Sequence, residues 1–321
     1  MEALIQERYG APADVLEPRR IDTPVPGEGT VLVRVRASSA NPADWHLIRG
    51  EPFLVHLIAG LRAPKDPRVG GDCAGVVEAV GPGVTGFAVG DEVFGTAHGS
   101  FAELAVARVE RIAHKPSHLT FEEAACLPVA GCTALQGLRD HGGLQAGQRV
   151  LLIGAAGGVG SLAVQIAKAL GAHVTGVCST ANVDFVRAQG ADEVVDYTRD
   201  EPAGTYDVVL QIAGDLTLRE LRRLVTPHGT LVMIGGGVGR DGKGSLLGPL
   251  TGMLNARLAS RKNGKRIRTF IAKILTADLE TLGALCTPHV ERVYPLAETA
   301  AALAVIESGH VRGKVAISVS A

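Results

Sequence analysis

The chain has few aromatic residues, no imbalance of charge and no closely spaced pair of cysteines. Aromatic residues make up 4% of the 321 residues, with a single Trp. Lys and Arg number 32 against 33 Asp and Glu, so the formal net charge of -1 offers no basic surface for a nucleic acid or an anionic membrane. The five cysteines are scattered, which favours reduced thiols over disulfides or a structural zinc. A small molecule is therefore the expected ligand.

Signals for targeting and for membrane insertion are also missing. The N-terminus lacks the basic region and apolar core of a signal peptide, so we expect a cytoplasmic protein. The apolar stretch that begins at Val150 contains a glycine cluster, which indicates a domain core and not a membrane span. With 46% hydrophobic residues, the chain is long enough to form two domains.

Residues 149–170 carry the clearest structural pattern. Residues 150–153 form a short apolar run typical of a buried strand, and the glycine-rich residues 154–160 require a turn. Leu162, Ile166 and Leu170 then recur at helical spacing up to a glycine. The sequence therefore predicts a strand, a glycine turn and a helix.

The glycine turn matches the fingerprint of a dinucleotide-binding site, with alanine in place of the usual first glycine. Ala155, Gly157 and Gly160 occupy its three positions. The first permits a tight turn, the second lets the backbone approach a pyrophosphate, and the third lets the helix pack closely on the strand. The N–H groups at the start of the helix would bind the pyrophosphate.

The alternative is a plain strand-to-helix connection in a doubly wound domain without a nucleotide. The dinucleotide site is favoured because apolar runs continue to alternate with helical stretches, as repeated β-α units require. These runs are at 173–178, 193–195, 207–212 and 230–234. A glycine-rich loop at 235–244 follows the last run, at the end of a strand where open α/β sheets bind their ligands.

The flanking parts of the chain have a different character. Before residue 120, short strands alternate with turns, and residues 45–61 are predicted to form a short helix and a loop that shapes a pocket. Thr120 and Glu123 form a capping box ahead of a helix predicted over 128–139. Beyond the nucleotide segment, we expect strands at 265–272, 290–294 and 314–319 and helices at 277–286 and 298–308.

The order of motifs resembles the medium-chain dehydrogenase/reductase superfamily, and more closely its zinc-free quinone oxidoreductase branch, the relatives of zeta-crystallin. The residues that carry the resemblance are VGGDCAGVVEAVG from Val69, VGDEVFG from Val89, GSFAE from Gly99, LPVAGCTALQ from Leu127 and AAGGVG from Ala155. The resemblance implies an α/β fold in which a Rossmann doubly wound parallel sheet is inserted in a GroES-like β-rich domain formed by both chain ends. The corresponding segments are residues 1–123, 124–275 and 276–321. It also implies nicotinamide-dependent hydride transfer in a cleft between the domains.

The positions that hold zinc in other members of the superfamily have no metal ligand in this chain. A cysteine and a histidine of those relatives correspond to Asn41 and Gly71, and Cys132 lies a few residues out of register with the third ligand. The segment that carries a structural zinc is also missing. We therefore expect no bound metal.

The resemblance implies an NAD(P)H-dependent reductase that transfers a hydride to a quinone or an α,β-unsaturated carbonyl. A metal-free alcohol or aldehyde dehydrogenase is one alternative. A nucleotide-binding protein with little turnover is another, because zeta-crystallin shows that this scaffold can serve structurally. A short-chain reductase is disfavoured because no tyrosine has a lysine four residues later.

By resemblance, Asn41 and Thr133 lie near the nicotinamide, and Trp45 and His46 lie on the adjoining wall. Each has a structural alternative: Asn41 precedes a proline in a turn, Trp45 fits a core, Thr133 fits a helix cap, and a lone histidine is more often structural. Because charge builds on the substrate oxygen, we expect neutral donors to stabilise it and water to supply the final proton.

NADPH is expected in preference to NADH, which remains the alternative. A carboxylate at the end of the second strand normally accepts the ribose hydroxyls of NAD, and Cys178-Ser179-Thr180 stands there instead. The resemblance adds Tyr197 beside the 2′-phosphate. The predicted cofactor-binding residues are Ala155, Ala156, Gly157, Gly158, Val159, Gly160, Ser179, Thr180, Tyr197, Ile212, Ala213, Ile234, Gly235 and Gly236.

The resemblance also implies a homodimer that pairs through edge strands of the nucleotide sheets. Residues 265–272 are the candidate edge strand. Its Lys265, Arg266 and Arg268 equally fit charges that protect an exposed edge from pairing.

Overall fold

The computed structural model describes residues 1–234 and 264–319, which belong to two compact units. Unit 1 comprises Met1–Cys132 and Ile274–Ala321, and unit 2 comprises Thr133–Lys273. Both chain ends therefore build unit 1, as the sequence predicted. The divisions lie after Cys132 and Lys273, where the sequence placed them after residues 123 and 275.

Fourteen strands are present in the described residues, and their bounds agree with most of the apolar runs of the sequence. They are β1 Glu2–Gln6, β2 Leu16–Arg20, β3 Thr30–Ala40, β4 Asp72–Val80, β5 Glu92–His98, β6 Leu104–His114, β7 Arg149–Ile153, β8 His173–Cys178, β9 Glu193–Asp196, β10 Tyr206–Gln211, β11 Val225–Met233, β12 Arg266–Thr269, β13 Val290–Pro295 and β14 Lys314–Ser318.

The helices of the described residues are short. They are α1 Pro12–Val15, α2 Pro42–Arg49, α3 Leu54–Ala59, α4 Phe121–Ala125, α5 Pro128–Gln136, α6 Gly158–Ala169, α7 Val183–Ala188, α8 Leu218–Arg223, α9 Thr276–Leu285 and α10 Thr299–Glu307. None of them has the length and apolar character that a membrane span requires.

Unit 1 is built around β3, which is bonded to three other strands. The main sheet has the order β13-β14-β3-β4-β5-β6, and β3 pairs in addition with β6, so the sheet closes on itself. Strands β13 and β14 come from the C-terminal segment, and β14 runs antiparallel to β3. The valines of β3 alternate into a buried core, with Val31, Val33 and Val35 at most 1% exposed.

The capping box predicted at Thr120 is present, because Thr120 Oγ1 accepts the Glu123 N–H at 3.2 Å. It begins α4, which packs on β3, β4 and β14, so the first division between the units falls later than predicted. Two other elements also differ from the predictions. Residues 45–61 contain two helices, and α5 ends at Gln136, where a π-helical segment Gly137–Gly142 continues the chain.

Unit 2 contains a parallel sheet with the order β12-β11-β10-β7-β8-β9. The chain runs from β7 outward to β9 and then returns to the other side of β7 with β10. This is the doubly wound order, with its switch point between β7 and β10, which confirms the predicted fold class. Ligands of such sheets bind at the carboxyl ends of the strands beside the switch point.

Candidate functional site

The glycine turn begins where β7 ends and delivers the chain directly to the start of α6. Gly154 adopts a φ of 91°, a conformation that glycine tolerates best, and Gly157 is the N-cap of α6. A Cβ atom at Gly160 would collide with the carbonyl oxygen of Gly154 and lie 2.8 Å from two backbone atoms of Ala155. The third fingerprint position therefore allows the close packing that the sequence predicted for it.

The structure also explains why the first fingerprint position holds alanine. The positive φ falls on Gly154, one residue before Ala155, so the tight turn that the sequence analysis assigned to Ala155 does not require glycine there. The Ala155 methyl group is buried against Gly176 of β8, where an added Cβ would lie 3.0 Å from the Ala155 Cβ. A glycine on the neighbouring strand thus makes room for the alanine.

The second fingerprint position faces open space. A Cβ atom at Gly157 would have the Gly154 oxygen, 3.9 Å away, as its nearest neighbour. The first N–H groups of α6 have no acceptor within the helix and carry the positive end of its dipole. The turn therefore has the free space and the donors that a pyrophosphate needs.

The other predicted cofactor residues from this end of the sheet gather beside the turn. The N–H groups of Ile212 and Ala213 donate to Ile153 O at 3.0 and 3.3 Å, and the N–H of Ile234 donates to Gln211 O at 2.9 Å. Ala213 packs against Gly154. The predicted Gly235 and Gly236, and the loop 235–244 to which they belong, lie outside the described residues.

A carboxylate lies where the 2′-phosphate of NADPH was expected. Thr180 Oγ1 donates to Asp196 Oδ2 at 2.6 Å, and Thr198 Oγ1 lies 2.8 Å from the same hydroxyl. The Thr180 hydrogen bond lowers the pKa of Asp196, so this group is charged at neutral pH. Ser179 Oγ accepts from Asn182 Nδ2 at 3.1 Å, and Tyr197 is 62% exposed.

Sequence reasoning missed Asp196 because it considered only the end of β8. Asp196 is the last residue of β9, and its register partner in β8 is Cys178. The alignment of two parallel strands therefore brings a carboxylate to Thr180 from a different β-α unit. The available signal was its position directly before Tyr197, a residue that the resemblance already placed beside the 2′-phosphate.

A cavity of about 580 Å³ lies within unit 1. It is mainly apolar, and α2 contributes one face to it, at helical spacing: Asn41, Asp44, Leu47 and Ile48. Gly71 also lines it, as do several aliphatic and charged residues: Ile58, Ala59, Val69, Ala97, Val106, Lys65, Asp66, Arg68, His98, Arg108 and Arg111.

Trp45 and His46, predicted beside Asn41, lie on other faces of α2 and do not line this cavity in the described part of the chain. Trp45 packs against the buried cluster that contains Leu4 and Ile317. The His46 ring stacks on Trp45 with centroids 3.6 Å apart, and His46 Nδ1 lies 2.8 Å from Glu51 O. Thr133 is a half-buried residue of α5.

The oxygen and the nitrogen of the Asn41 side-chain amide are each hydrogen-bonded to a charged side chain. Lys314 Nζ donates to Asn41 Oδ1 at 2.6 Å, and Asn41 Nδ2 donates to Asp72 Oδ2 at 2.8 Å. All three residues are at least 96% buried, with exposures of 4% for Asn41, 0% for Asp72 and 3% for Lys314. Asn41 is thus fixed in one orientation at the N-terminus of α2.

Asp72 is surrounded by donors. Besides Asn41, Ser39 Oγ donates to its Oδ2 at 2.8 Å, the Val129 N–H donates to its Oδ1 at 3.1 Å, and Lys314 Nζ lies 3.9 Å away. Burial raises the pKa of Asp72, and these neighbours oppose the increase. The Asp72 and Lys314 charges therefore form a buried ion pair, bridged by the Asn41 amide that bonds to both.

Asp44 is a functional candidate that sequence reasoning missed. Its Oδ2 accepts the Asn41 N–H at 2.8 Å, which completes a capping box at the start of α2. Burial, together with the nearby Asp72 carboxylate, raises the pKa of Asp44 to about 7. The spacing of Asn41 and Asp44 in the sequence is a signal for the cap, but the cavity beside it is not visible from the sequence.

The residues at the zinc positions do not fit a zinc site. The Asn41 amide is already bonded at both ends, Gly71 has no side chain, and Cys132 is a buried thiol. Within the described residues, no three His, Cys, Asp or Glu side chains are grouped so that they could hold a metal ion. The hydrogen-bonded Asn41, Asp72 and Lys314 stand in this region instead.

Two family models match the chain. The alcohol dehydrogenase GroES-like domain matches residues 27–117, and the zinc-binding dehydrogenase domain matches residues 189–317. A chloroplastic quinone oxidoreductase of Triphysaria versicolor is 32% identical over 99% of this chain and 98% of its own. The chain belongs to the medium-chain dehydrogenase/reductase superfamily, in its quinone oxidoreductase branch.

Two solved structures are similar to this chain over nearly its full length. The quinone oxidoreductase of Coxiella burnetii is 28% identical, with a TM-score of 0.84 over 100% of this chain and 99% of its own. A mycobacterial protein complexed with NADPH is 25% identical, with a TM-score of 0.78 over 99% of this chain and 100% of its own. The predicted recognition and the predicted enzyme class, an NAD(P)H-dependent oxidoreductase of the medium-chain family, are confirmed.

The glycine turn yields a first prediction. Replacing Gly160→Ala should lower the free energy of unfolding by about 1–3 kcal/mol and weaken NADPH binding, because the new methyl group meets backbone atoms. Gly157→Ala should leave the free energy of unfolding unchanged and weaken only NADPH binding, because its methyl group would occupy the space for the pyrophosphate. Urea unfolding and NADPH fluorescence titration measure the two effects.

The matched control is Gly27→Ala, at an exposed glycine where an added Cβ meets nothing within 4 Å. We expect it to change neither quantity. A Gly160→Ala protein with the stability and affinity of the wild type would contradict the role assigned to the turn.

Proposed function

We propose that the protein is a metal-independent, NADPH-dependent reductase of quinones and other α,β-unsaturated carbonyl compounds. The observation that carries the proposal is the bonded network of Asn41, Asp72 and Lys314 at the edge of an apolar cavity, where zinc-dependent members of the superfamily hold their metal. A site of this kind acts through positioned donors and not through a Lewis acid. The names of the quinone oxidoreductase relatives support the substrate class.

The volume and the lining of the cavity suit a small, weakly polar ring. Leu47, Ile48, Ile58 and Val69 supply apolar contacts, and the volume of about 580 Å³ is within the range of small-molecule sites. When bound, the reduced nicotinamide supplies a hydride to an electron-poor carbon of the substrate. The protein must then stabilise the negative charge that develops on the substrate oxygen.

The four predicted catalytic residues have different roles in this proposal. Asn41 is held in place by Lys314 and Asp72 and orients the start of α2 toward the substrate. Thr133 does not line the described cavity, and its hydroxyl remains the neutral donor that the resemblance places near the nicotinamide. Trp45 and His46 anchor α2 to the core of unit 1, since Trp45 packs into that core and His46 stacks on it.

The cofactor residues of the proposal divide by the part of NADPH that they bind. Residues 155–160 hold the pyrophosphate at the start of α6. Ser179, Thr180 and Tyr197 surround the ribose 2′-phosphate. Ile212, Ala213 and Ile234 line the path toward the nicotinamide. The other two predicted cofactor residues, Gly235 and Gly236, lie outside the described residues.

The second prediction concerns turnover without metal. The purified protein should oxidise NADPH with a panel of quinones and enones, and kcat should not change after dialysis against a zinc chelator, because the zinc positions offer no ligands. Simple alcohols with NADP+ serve as the control and should give no turnover. Oxidation of these alcohols would indicate an alcohol dehydrogenase instead.

Two results of that experiment would contradict the proposal. Stoichiometric zinc in elemental analysis, with activity lost on its removal, would show a metal enzyme. NADPH oxidation no faster than in the absence of protein would favour a nucleotide-binding protein with little turnover.

The third prediction concerns the choice of cofactor. We expect kcat/KM to favour NADPH, and Asp196→Asn to increase that preference about fivefold, because it removes about 1 kcal/mol of repulsion between a carboxylate and the 2′-phosphate. Asp184→Asn is the matched control, at a fully exposed carboxylate of α7. Its NADPH to NADH ratio should equal that of the wild type.

A wild-type preference for NADH of more than tenfold would reverse the assignment. Asp196 would then accept the ribose hydroxyls, as a carboxylate does in NAD-dependent members of such folds.

The fourth prediction concerns assembly. We propose a homodimer that pairs through β12, which bonds on one side to β11 and forms an edge of the described sheet. Two basic side chains near this edge are hydrogen-bonded to backbone oxygens of the same subunit. Lys265 Nζ donates to Arg222 O at 2.7 Å, and Arg266 Nη2 donates to His228 O at 3.2 Å. Light scattering should give twice the chain mass of 33.2 kDa. A mass of one chain at all concentrations would contradict the dimer.

A further inference from the structure

Asp44 combines three properties that no other described carboxylate of the unit 1 cavity shares. It lines the cavity, it is 8% exposed, and it lies next to a second buried carboxylate, Asp72. We propose that Asp44 is the proton donor of the reaction and passes its proton to the oxygen of the reduced substrate in this cavity. The inference rests on the proposed function and replaces the expectation that water supplies the proton directly.

The two buried acids differ in the partners that stabilise a negative charge. Asp72 accepts hydrogen bonds from Asn41, Ser39 and the Val129 N–H and lies 3.9 Å from the Lys314 ammonium. These donors hold Asp72 as the charged partner of Lys314. A second charge beside it is therefore unfavourable.

Asp44 has fewer such partners. The Asn41 N–H at 2.8 Å favours its charged form, as do the Asn41 side chain and Lys314. Burial and the Asp72 charge outweigh them and raise the pKa of Asp44 to about 7. A carboxylic acid with this pKa holds a proton at neutral pH and can release it to a developing alkoxide or phenolate.

The other charged groups around the cavity do not compete for this role. Asp66 accepts from Arg68 at 2.6 and 3.0 Å and pairs with His98 at 2.8 Å, and these partners keep its pKa far below neutral. Lys65, Arg108 and Arg111 are exposed residues of the lining. Their positive charges attract an anionic product.

His46, which the resemblance placed on the wall of the site, does not have a proton available for the substrate. Burial lowers the pKa of His46, so its ring is neutral at pH 7. Its Nδ1 lies 2.8 Å from the Glu51 carbonyl oxygen, which can only accept, so Nδ1 carries the single proton of the neutral ring. His46 therefore has no proton to give on its other nitrogen.

The proton balance is simple. For an enone, hydride addition forms a C–H bond at the β-carbon. The C=C electron pair becomes a double bond between the α-carbon and the carbonyl carbon, and the C=O π pair moves to the oxygen, which gives an enolate. The Asp44 O–H bond breaks, its proton joins that oxygen, and the electron pair stays on the carboxylate. Asp44 then regains a proton from water, so each turnover consumes one NADPH, one substrate and one proton.

The fifth prediction is the test of this assignment. Asp44→Asn retains an oxygen that accepts the Asn41 N–H and should fold and bind NADPH like the wild type. Its kcat should fall about a hundredfold or more, which is the usual contribution of a general acid. The kcat of the wild type should decline as pH rises through about 7, where Asp44 loses its proton, and this decline should be absent in Asp44→Asn.

Asp66→Asn is the matched control, because it makes the same change at another carboxylate of the same cavity. Its pH profile should keep the wild-type shape. Asp44→Ala should also regain activity in proportion to added formic acid, whereas Asp66→Ala and the wild type should not respond. A residue with only a structural role would not produce this rescue.

A measurement without turnover tests the same group. The folded pKa of Asp44 lies above the unfolded value of about 3.9, so the folded state binds more protons between these values. The free energy of unfolding of the wild type, relative to Asp44→Asn, should therefore decrease from about pH 4 to about pH 7 and stay constant above. A constant difference would show that Asp44 titrates normally and would overturn the inference.

The outcomes separate this inference from the proposed function. Asp44→Asn with kcat within threefold of the wild type and the same pH profile would overturn the role of Asp44 alone. Absence of turnover in the wild type with every quinone and enone would overturn the proposed function and this role together.

Discussion

The buried carboxylate of Asp72 is the constraint on which the site in unit 1 depends. An ionised carboxylate without water requires donors on every side, and they come here from β3, α5, β14 and the residue before α2. Meeting this requirement ties the C-terminal strand β14 to the N-terminal part of the chain. It also fixes the orientation of Asn41. Burial and the charge of Asp72 together raise the pKa of Asp44.

The nucleotide unit depends on a different constraint, the close approach of backbone segments. Gly160 lies so near Gly154 and Ala155 that no side chain fits, and Gly176 on the next strand gives the Ala155 methyl group its space. The space that the alanine of the fingerprint requires is therefore provided by a glycine on the neighbouring strand. The function of the motif depends on its geometry, and one departure from its consensus leaves that geometry intact.

Local elements were largely predictable because their signals are local. The strand predicted at 173–178 coincides with β8, and the capping box at Thr120 begins α4 as expected. The prediction was less accurate where packing decides. The helix predicted over 128–139 ends at Gln136 in a π-helical segment, and the faces of α2 could not be assigned. Trp45 was expected in the site and packs in the core, while Asp44, one residue earlier, faces the cavity.

The sequence by itself determined the fold class, the dinucleotide turn and the family, because these depend on the order of short motifs along the chain. Only the tertiary structure decided which side chains meet. Lys314 and Asn41 are 273 positions apart, and Thr180 and Asp196 belong to different β-α units. Such contacts arise from strand register and burial, and the pKa of Asp44 depends on them in turn. These contacts cannot be predicted from patterns of neighbouring residues, because the groups involved are far apart along the chain and are hydrated separately until it folds.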